Sequence, residues 1–230
     1  MQFKEWKLND FLDMIMPPLS RLNNHPIMPY KTNNIMWVNT LVYGGSGMGK
    51  TELMRMMAEQ AVARYPKDKM EAVNIGRMFA DPFLNRPTML VGKPIKMYYL
   101  DDMTGKKISE KQKENWALLR HIMEEKSGPN GLLLTVLATH RYHSLFNTLR
   151  DQVQCFIAKS IPPAGSSPYD INLLKKFIGD AGYDLLAEKC NNKLLGKPYK
   201  EWTVFRVYDI IGYFDTPRAT KNYLESWNYY

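Results

Sequence analysis

The feature that most constrains the fold of this chain is a glycine-rich octapeptide, Gly44–Thr51, with the sequence GGSGMGKT. The residues before it, Ile35–Tyr43, are largely apolar and rich in β-branched and aromatic side chains, which predicts a buried strand. The residues after it, Glu52–Ala63, include many strong helix formers and no glycine or proline. Because the octapeptide also matches G-x-x-x-x-G-K-[ST], this order of strand, loop and helix predicts a phosphate-binding P-loop.

Each residue type in the octapeptide has a physical role in such a loop. Glycines let the backbone curl so that its N–H groups face an anion, and the helix that follows adds its positive N-terminal end. Lys50 would reach the β- and γ-phosphates of ATP, and the Thr51 hydroxyl would ligate Mg²⁺. The residues expected to contact the nucleotide are Gly44, Gly45, Ser46, Gly47, Met48, Gly49, Lys50 and Thr51. The alternative, a glycine-rich turn that only caps a helix, leaves the preceding strand and the full motif unexplained.

A second apolar strand is predicted over residues 95–100, and it is followed by two adjacent acids, Asp101 and Asp102. This is the Walker B pattern, and in P-loop ATPases such a strand is expected beside the P-loop strand, where its C-terminal end reaches the phosphates. Asp101 would hold Mg²⁺ directly or through water, and Asp102 would orient or deprotonate the attacking water. Many members of this class carry glutamate at the second position, which is longer by one methylene. Two acids in a surface turn are the alternative.

A third buried strand is predicted over residues 132–138, and it delivers three polar side chains to its C-terminal end. Many P-loop ATPases place a sensor of the γ-phosphate there, so Thr139 is the first candidate and His140 the second. Arg141 and Arg150 are cations near the same edge. Either arginine could contact the phosphates of its own subunit or of a neighbour. Ordinary solvated arginines are the alternative for both.

The remaining elements surround this centre. Residues 1–34 are predicted to form an N-terminal arm and residues 35–230 the ATPase domain, with the arm lying on a neighbouring subunit or on its own domain. Two helices are predicted over 170–177 and 183–190, around Gly179 and Gly182. A late β-strand is predicted over 202–208, where apolar and polar residues alternate.

Composition excludes some classes of protein and favours others. Hydrophobic residues make up 45% and charged residues 23% of the 230 residues, as in ordinary globular chains. No apolar run approaches the roughly 18 residues of a membrane span, and the N-terminus lacks the apolar region of a signal peptide. The two cysteines form no C-x-x-C pair, which argues against zinc and favours an intracellular location. The net charge of +8 fits a nucleic-acid partner as well as a merely basic protein.

Together these motifs resemble the additional-strand P-loop ATPases over about residues 35–160. The run ATHRYHSLFNTLRDQV, residues 138–153, looks like the segment of FtsK/HerA-type ATPases in which a sensor strand precedes a short helix, an arginine and a further strand. The C-terminal order of two helices and a strand is similar to the compact genome-packaging ATPases of double-jelly-roll viruses. By this resemblance the ATPase residues would be Lys50, Thr51, Asp101, Asp102 and Thr139, with Arg150 acting on a neighbouring subunit.

The resemblance implies a fold and a function. The fold would be α/β, a three-layer P-loop NTPase sandwich with a mainly parallel central sheet. The activity would be Mg²⁺-dependent ATP hydrolysis that moves double-stranded DNA, in a homo-oligomeric ring such as a hexamer, in the cytoplasm of a host cell, with a capsid or replication protein as partner. The alternatives are an AAA+ helicase loader or replication initiator, which would carry a C-terminal helical lid, and a nucleotide-dependent switch. A P-loop kinase fits least.

Overall fold

The computed structural model describes residues 3–24, 35–74, 93–100, 109–118 without 112 and 116, 131–142 and 150–226. Its strands are β1 (Lys4–Glu5), β2 (Ile35–Tyr43), β3 (Met70–Asn74), β4 (Ile95–Leu100), β5 (Gly131–Thr139), β6 (Cys155–Ala158), β7 (Trp202–Val207) and β8 (Ile210–Asp215). Its helices are α1 (Leu8–Ile15), α2 (Lys50–Arg64), α3 (Pro168–Leu194) and α4 (Tyr223–Ser226), with a 3₁₀ helix at Leu19–Asn24. Further helical residues lie within 110–118.

The eight strands form one sheet in the order β1-β8-β7-β6-β2-β5-β4-β3. All neighbours from β6 through β3 run parallel, whereas β7 is antiparallel to both β6 and β8. The P-loop strand β2 therefore lies in the interior of the sheet. The predicted α/β fold with a mainly parallel sheet is confirmed.

The neighbour of the P-loop strand differs from the expectation. The strand before Asp101, β4, was expected beside β2, and this is wrong because β5 lies between them. β5 pairs with β2 from Ile35↔Gly131 to Tyr43↔Thr139 and with β4 from Ile95↔Leu132 to Leu100↔Leu137. All nine residues of β5 are buried. A strand without a polar face is stable only where strands flank both of its edges and helices cover both of its faces, which is the position β5 takes.

Side chains alternate across the sheet and build two cores. One face packs against α1 and α2, and the other packs against α3. In β2, for example, Met36, Val38 and Val42 belong to the first core, and Trp37, Leu41 and Tyr43 belong to the second. This period of two is what a strand covered on both faces requires. The predicted three layers of helix, sheet and helix are therefore present.

The N-terminal residues pack on this same domain. β1 pairs in parallel with β8, and Phe11 of α1 lies 4.7 Å from Phe205 and 4.8 Å from Phe214 between ring centroids. Arg64 at the end of α2 forms an ion pair with Asp13. Residues 3–24 thus belong to the core beside α2, while the division at residue 34 stays a prediction.

The helix α3 is broken once, at Gly179. The backbone there has φ 74° and ψ 167°, which interrupts the helical geometry and separates two helical halves, as the sequence predicted. A positive φ of this kind is readily adopted by glycine because glycine has no Cβ. The second half carries Lys189 and Lys193 towards the P-loop. In the part of the chain that the structure describes, no helix is long and apolar enough to cross a membrane.

Candidate functional site

Three parallel strands end level with one another at the edge of the sheet that carries the P-loop. Tyr43 of β2 lies opposite Thr139 of β5 on one side and opposite Ala158 of β6 on the other. The N–H of Gly44 donates to the Thr139 carbonyl at 3.2 Å, and the N–H of Lys159 donates to the Tyr43 carbonyl at 2.9 Å. The residues that follow these strands therefore emerge side by side, at the edge where open α/β sheets bind ligands.

The loop turns into α2 at Gly49. This residue precedes the helix with φ 84°, a left-handed conformation that would cost a residue with a side chain about 1–2 kcal/mol. The helix opens with the N–H of Leu53 donating to the Gly49 carbonyl at 3.0 Å. The N–H groups of a helix's first turn have no partner within the helix, so its N-terminus favours an anion. The predicted loop and helix are present, and the binding of a phosphate by them stays a prediction.

Lys50 is held inside this loop. Its side chain is buried, and its Nζ donates to the carbonyls of Gly44 at 2.7 Å and Gly45 at 3.0 Å. The same Nζ lies 3.1 Å from Nδ1 of His140, which follows β5. A lysine ammonium can only donate, so the acceptor in this contact is Nδ1. The charge of the P-loop lysine is thus positioned by its own loop and by the neighbouring strand.

The two sensor candidates have different surroundings. The Thr139 hydroxyl is fully buried and lies 3.1 Å from both the N–H and the carbonyl oxygen of Arg141, so it shapes the turn after β5. His140, the second candidate from the sequence, is the residue that contacts Lys50. The sensor role stays a prediction for either residue.

Ser160 is a loop contact that the sequence did not indicate. This serine lies two residues after the end of β6. Its buried hydroxyl accepts a hydrogen bond of 2.8 Å from the N–H of Gly45. No local pattern marks this serine, because the contact joins residues 115 positions apart. One N–H of the glycine loop is therefore oriented by the sheet itself.

A group of charged residues supports the loop from the β7 side, and we name Lys159, Lys189, Lys193 and Glu201 the lysine cluster. Lys159 is buried, and its Nζ donates to the hydroxyls of Thr203 at 2.7 Å and Thr216 at 2.9 Å. Its Cε would lie 3.4 Å from a Cβ added at Gly49. The interior end of the cluster thus touches the turn into α2.

The other members tie α3 to this loop. Lys189 is buried, and its Nζ lies 3.2 Å from Oε2 of Glu201 and donates to the Lys159 carbonyl at 2.9 Å. Lys193 donates to the carbonyl of Gly47 at 2.8 Å. Three lysines share one carboxylate here, so the cluster adds positive charge beneath the glycine-rich turn. The sequence did not indicate these residues, since lysines on a helix usually form a solvated face.

Burial changes the protonation of the cluster. Desolvation lowers the pKa of the Lys159 amine to about 7, helped by the charge of Lys189 and opposed by the carboxylates of Glu201 and Asp215. Desolvation also lowers the pKa of Lys189 from the ordinary lysine value. Near neutral pH the charge beneath the P-loop therefore depends on pH.

Replacing Lys159 with methionine is expected to flatten the pH dependence of stability. The unfolded chain holds this proton up to about pH 10.4 and the folded chain loses it near pH 7, so Lys159 makes the free energy of unfolding rise with pH in that window. The slope for one proton reaches about 1.4 kcal/mol per pH unit. Denaturant unfolding at about pH 7, 8 and 9 measures it. The exposed Lys67→Met variant should keep the wild-type slope, and equal slopes in all three proteins would contradict the assignment.

The arginine candidates lie near the residues that follow β5. Arg141 is exposed and lines a cleft of about 370 Å³ together with His140 and Tyr142. The guanidinium of Arg150 lies 6.0 Å from the centre of the Tyr142 ring. Both cations are therefore near the end of β5, as expected, while a role towards a neighbouring subunit is untested.

Of the two Mg²⁺ candidates, Thr51 and Asp101, the structure describes Thr51. Thr51 lies exposed in the first turn of α2, whereas Asp101 and Asp102 fall outside the described residues. β4 ends at Leu100, opposite Leu137, so it leads towards the same edge of the sheet as β5. Among the residues that the structure describes, no three His, Cys, Asp or Glu side chains group to hold a metal. One hydroxyl beside a phosphate site fits Mg²⁺, which keeps waters and phosphate oxygens among its ligands.

Comparison with known proteins adds similarities of fold. No protein-family model and no curated protein matches the sequence. The DNA-packaging ATPase B204 from Sulfolobus turreted icosahedral virus is similar in structure at TM-score 0.46 and 11% identity, covering 81% of this chain and 98% of that chain. ATPases 2 and 3 of EssC from Geobacillus thermodenitrificans match at TM-score 0.39 and 12% identity, and the match covers 58% of this chain and 35% of that chain. At these identities the likeness is one of fold alone.

Proposed function

We propose that this chain is a Mg²⁺-dependent ATPase that moves double-stranded DNA as a homo-oligomeric ring in the cytoplasm, in a role such as viral genome packaging. The ATPase assignment rests on the position of Lys50 in the P-loop motif. Its Nζ lies 2.7 Å from the Gly44 carbonyl oxygen and 3.1 Å from Nδ1 of His140. A basic, partly buried P-loop between a parallel strand and the N-terminus of a helix suits a polyphosphate.

Binding follows from the loop geometry. The N–H groups of the octapeptide would surround the β-phosphate, and the N-terminus of α2 would add its positive end. Lys50 would shift from the loop carbonyls to the β- and γ-phosphate oxygens, which are stronger acceptors because they are charged. His140 contacts Lys50, so it would register whether the lysine faces the loop or the phosphates. This contact favours His140 over Thr139 as the sensor.

Hydrolysis would be an in-line displacement at the γ-phosphorus. A water oxygen forms the new bond to phosphorus while the bond to the oxygen bridging the β- and γ-phosphates breaks, which releases ADP and inorganic phosphate. Asp102 would accept a proton from the water. Mg²⁺ held by Thr51 and Asp101 would neutralise charge that develops on the phosphate oxygens. Most of the rate acceleration would come from positioning and charge stabilisation.

The DNA-motor part of the proposal rests on charge and on the arginines. The net charge of +8 favours a polyanion. Arg150, whose guanidinium lies 6.0 Å from the centre of the Tyr142 ring, would contact a nucleotide on a neighbouring subunit if the ring closes on this side. The mass of the ATP-bound protein in solution tests the assembly, and a stable monomer under turnover conditions would contradict the ring.

Long double-stranded DNA is expected to stimulate steady-state ATP hydrolysis several-fold, and the stimulation should weaken between low and moderate salt. The reason is that a protein that binds DNA phosphates releases counterions, so affinity falls as salt rises. The Lys50→Ala variant is the control for contaminating activity. Stimulation by single strands or by a helicase alone would favour a helicase loader. A rate of ATP hydrolysis that no nucleic acid changes would favour a nucleotide-dependent switch.

One feature of the described C-terminal part argues against the alternative of an AAA+ helicase loader. An AAA+ loader would carry a helical lid after its sheet. In the described C-terminal part, β7 and β8 instead form an antiparallel pair within the sheet, followed by the four-residue helix α4. This arrangement supports the motor over the loader.

A further inference from the structure

We propose that a cleft between the start of α2 and the β7–β8 part of the sheet binds the nucleoside of the nucleotide, with Tyr199 stacked on a purine base. The inference rests on the proposed nucleotide binding and adds the position and the recognition of the base.

The cleft adjoins the P-loop directly. Its volume is about 660 Å³, which lies in the range of small-molecule sites. Its lining includes Gly49 of the glycine-rich loop and Glu52 of α2, together with Lys159, Tyr199, Asp215 and Arg218. A ligand that occupies the loop can therefore continue into this cleft without leaving the protein surface.

The direction of the triphosphate selects this cleft. In a P-loop the lysine reaches the β- and γ-phosphates, and Lys50 here contacts His140 at the end of β5. The γ end of the triphosphate is thus on the β5 side of β2. The α end must then point the opposite way, across β6 towards β7 and β8, where the 660 Å³ cleft lies.

The second cleft beside the loop is a poorer site for a nucleoside. It has about 370 Å³, and its lining runs from Ser46 and His140 to Phe177 on the α3 face of the sheet. Its aromatic rings are already engaged with one another, since Phe156 and Phe177 stack at 4.5 Å with an interplanar angle of 12°. A base placed there would have to separate this stacked pair or leave its own faces without an aromatic partner.

The lining of the larger cleft fits a ribonucleoside. Tyr199 is 39% exposed, and Lys193 of the lysine cluster lies 5.7 Å from its ring centre, which holds the ring close to the loop that Lys193 also contacts. Aromatic rings stack on nucleobases. Asp215 is exposed in the same cleft and offers carboxylate oxygens to ribose hydroxyls.

The test compares ATP with inorganic tripolyphosphate, which has the phosphates but no nucleoside. Calorimetry with Mg²⁺ is expected to show that Tyr199→Leu weakens ATP binding about tenfold, the scale of one lost stacking contact, and leaves tripolyphosphate binding unchanged. Tyr199→Phe should bind ATP as the wild type does. Tyr169→Leu, which removes an exposed tyrosine of α3 outside both clefts, is the matched control. Retained tripolyphosphate binding also shows that each variant is folded.

Photolabelling with 8-azido-ATP gives an independent readout. Label on the peptide that contains Tyr199 supports the inference. Label near Tyr142 and Phe177 overturns it in favour of the smaller cleft, as would wild-type ATP affinity in Tyr199→Leu. A wild-type protein that binds tripolyphosphate as tightly as ATP would overturn the nucleoside site and leave phosphate binding intact. A wild-type protein that binds neither would refute the proposed function itself.

Discussion

Replacing Lys50 with alanine is expected to abolish ATP hydrolysis and to weaken ATP binding by about 100-fold or more. The change removes a cation that would pair with phosphate oxygens, and charge-assisted bonds of this kind are about twice as strong as neutral ones. Calorimetry with ATP and Mg²⁺ measures the affinity, and phosphate release measures the turnover. Because Lys50 is buried against the Gly44 and Gly45 carbonyls, its removal also leaves these acceptors without this donor.

Two comparisons separate the loss of function from a loss of folding. A thermal unfolding curve of the Lys50→Ala protein should remain cooperative, since the lysine is one contact among two extensive cores. The exposed lysine at position 67 provides the matched control, and Lys67→Ala should bind ATP as the wild type does. If the Lys50→Ala protein is folded and still binds ATP with wild-type affinity, the glycine loop is not the phosphate site.

Changing Asp102 to asparagine is expected to separate binding from turnover. Asparagine keeps the size of the side chain and removes the carboxylate that would accept a proton from the attacking water. General-base catalysis is typically worth 10²–10⁴ in rate, so turnover should fall by roughly 100-fold or more. ATP affinity should change little. Single-turnover hydrolysis together with calorimetry measures both quantities.

The neighbouring acid supplies the contrast for that experiment. Asp101→Asn should reduce the dependence of ATP binding on Mg²⁺, because Asp101 is the proposed metal ligand. Both acids follow β4, which ends at Leu100. Normal turnover in the Asp102→Asn protein would remove that residue from catalysis, and the role of the base would then pass to another group.

Some elements could be predicted because local sequence determines them. The octapeptide Gly44–Thr51 forms the predicted turn into a helix, since only glycine readily adopts the positive φ that Gly49 needs there. The strands β2 and β5 were expected at nearly their observed bounds, because long apolar runs rich in β-branched and leucine residues are stable only when buried in a sheet. The break of α3 at Gly179 follows from the same property of glycine.

The order of strands could not be read from local pattern. An apolar run indicates that a strand is buried, but it does not indicate which strands flank it. For this reason β4 was expected beside β2, although β5 lies between them. The sequence likewise ranked Thr139 above His140, since both residues follow the same strand. Only the three-dimensional structure shows that the imidazole contacts Lys50 and that the threonine hydroxyl is engaged by the Arg141 backbone.

The sequence by itself determined the glycine-rich loop, its lysine and the buried core strands, because these depend on backbone conformation and burial over a few neighbouring residues. The tertiary structure decided the surroundings of that loop. Lys193 reaches the Gly47 carbonyl across 146 positions, and Lys159 and Glu201 meet across 42 positions. Such contacts form when α3 packs on the sheet and β7 joins it beside β6. The presence of a lysine in the sequence does not show whether its charge is solvated or buried beneath the glycine-rich loop.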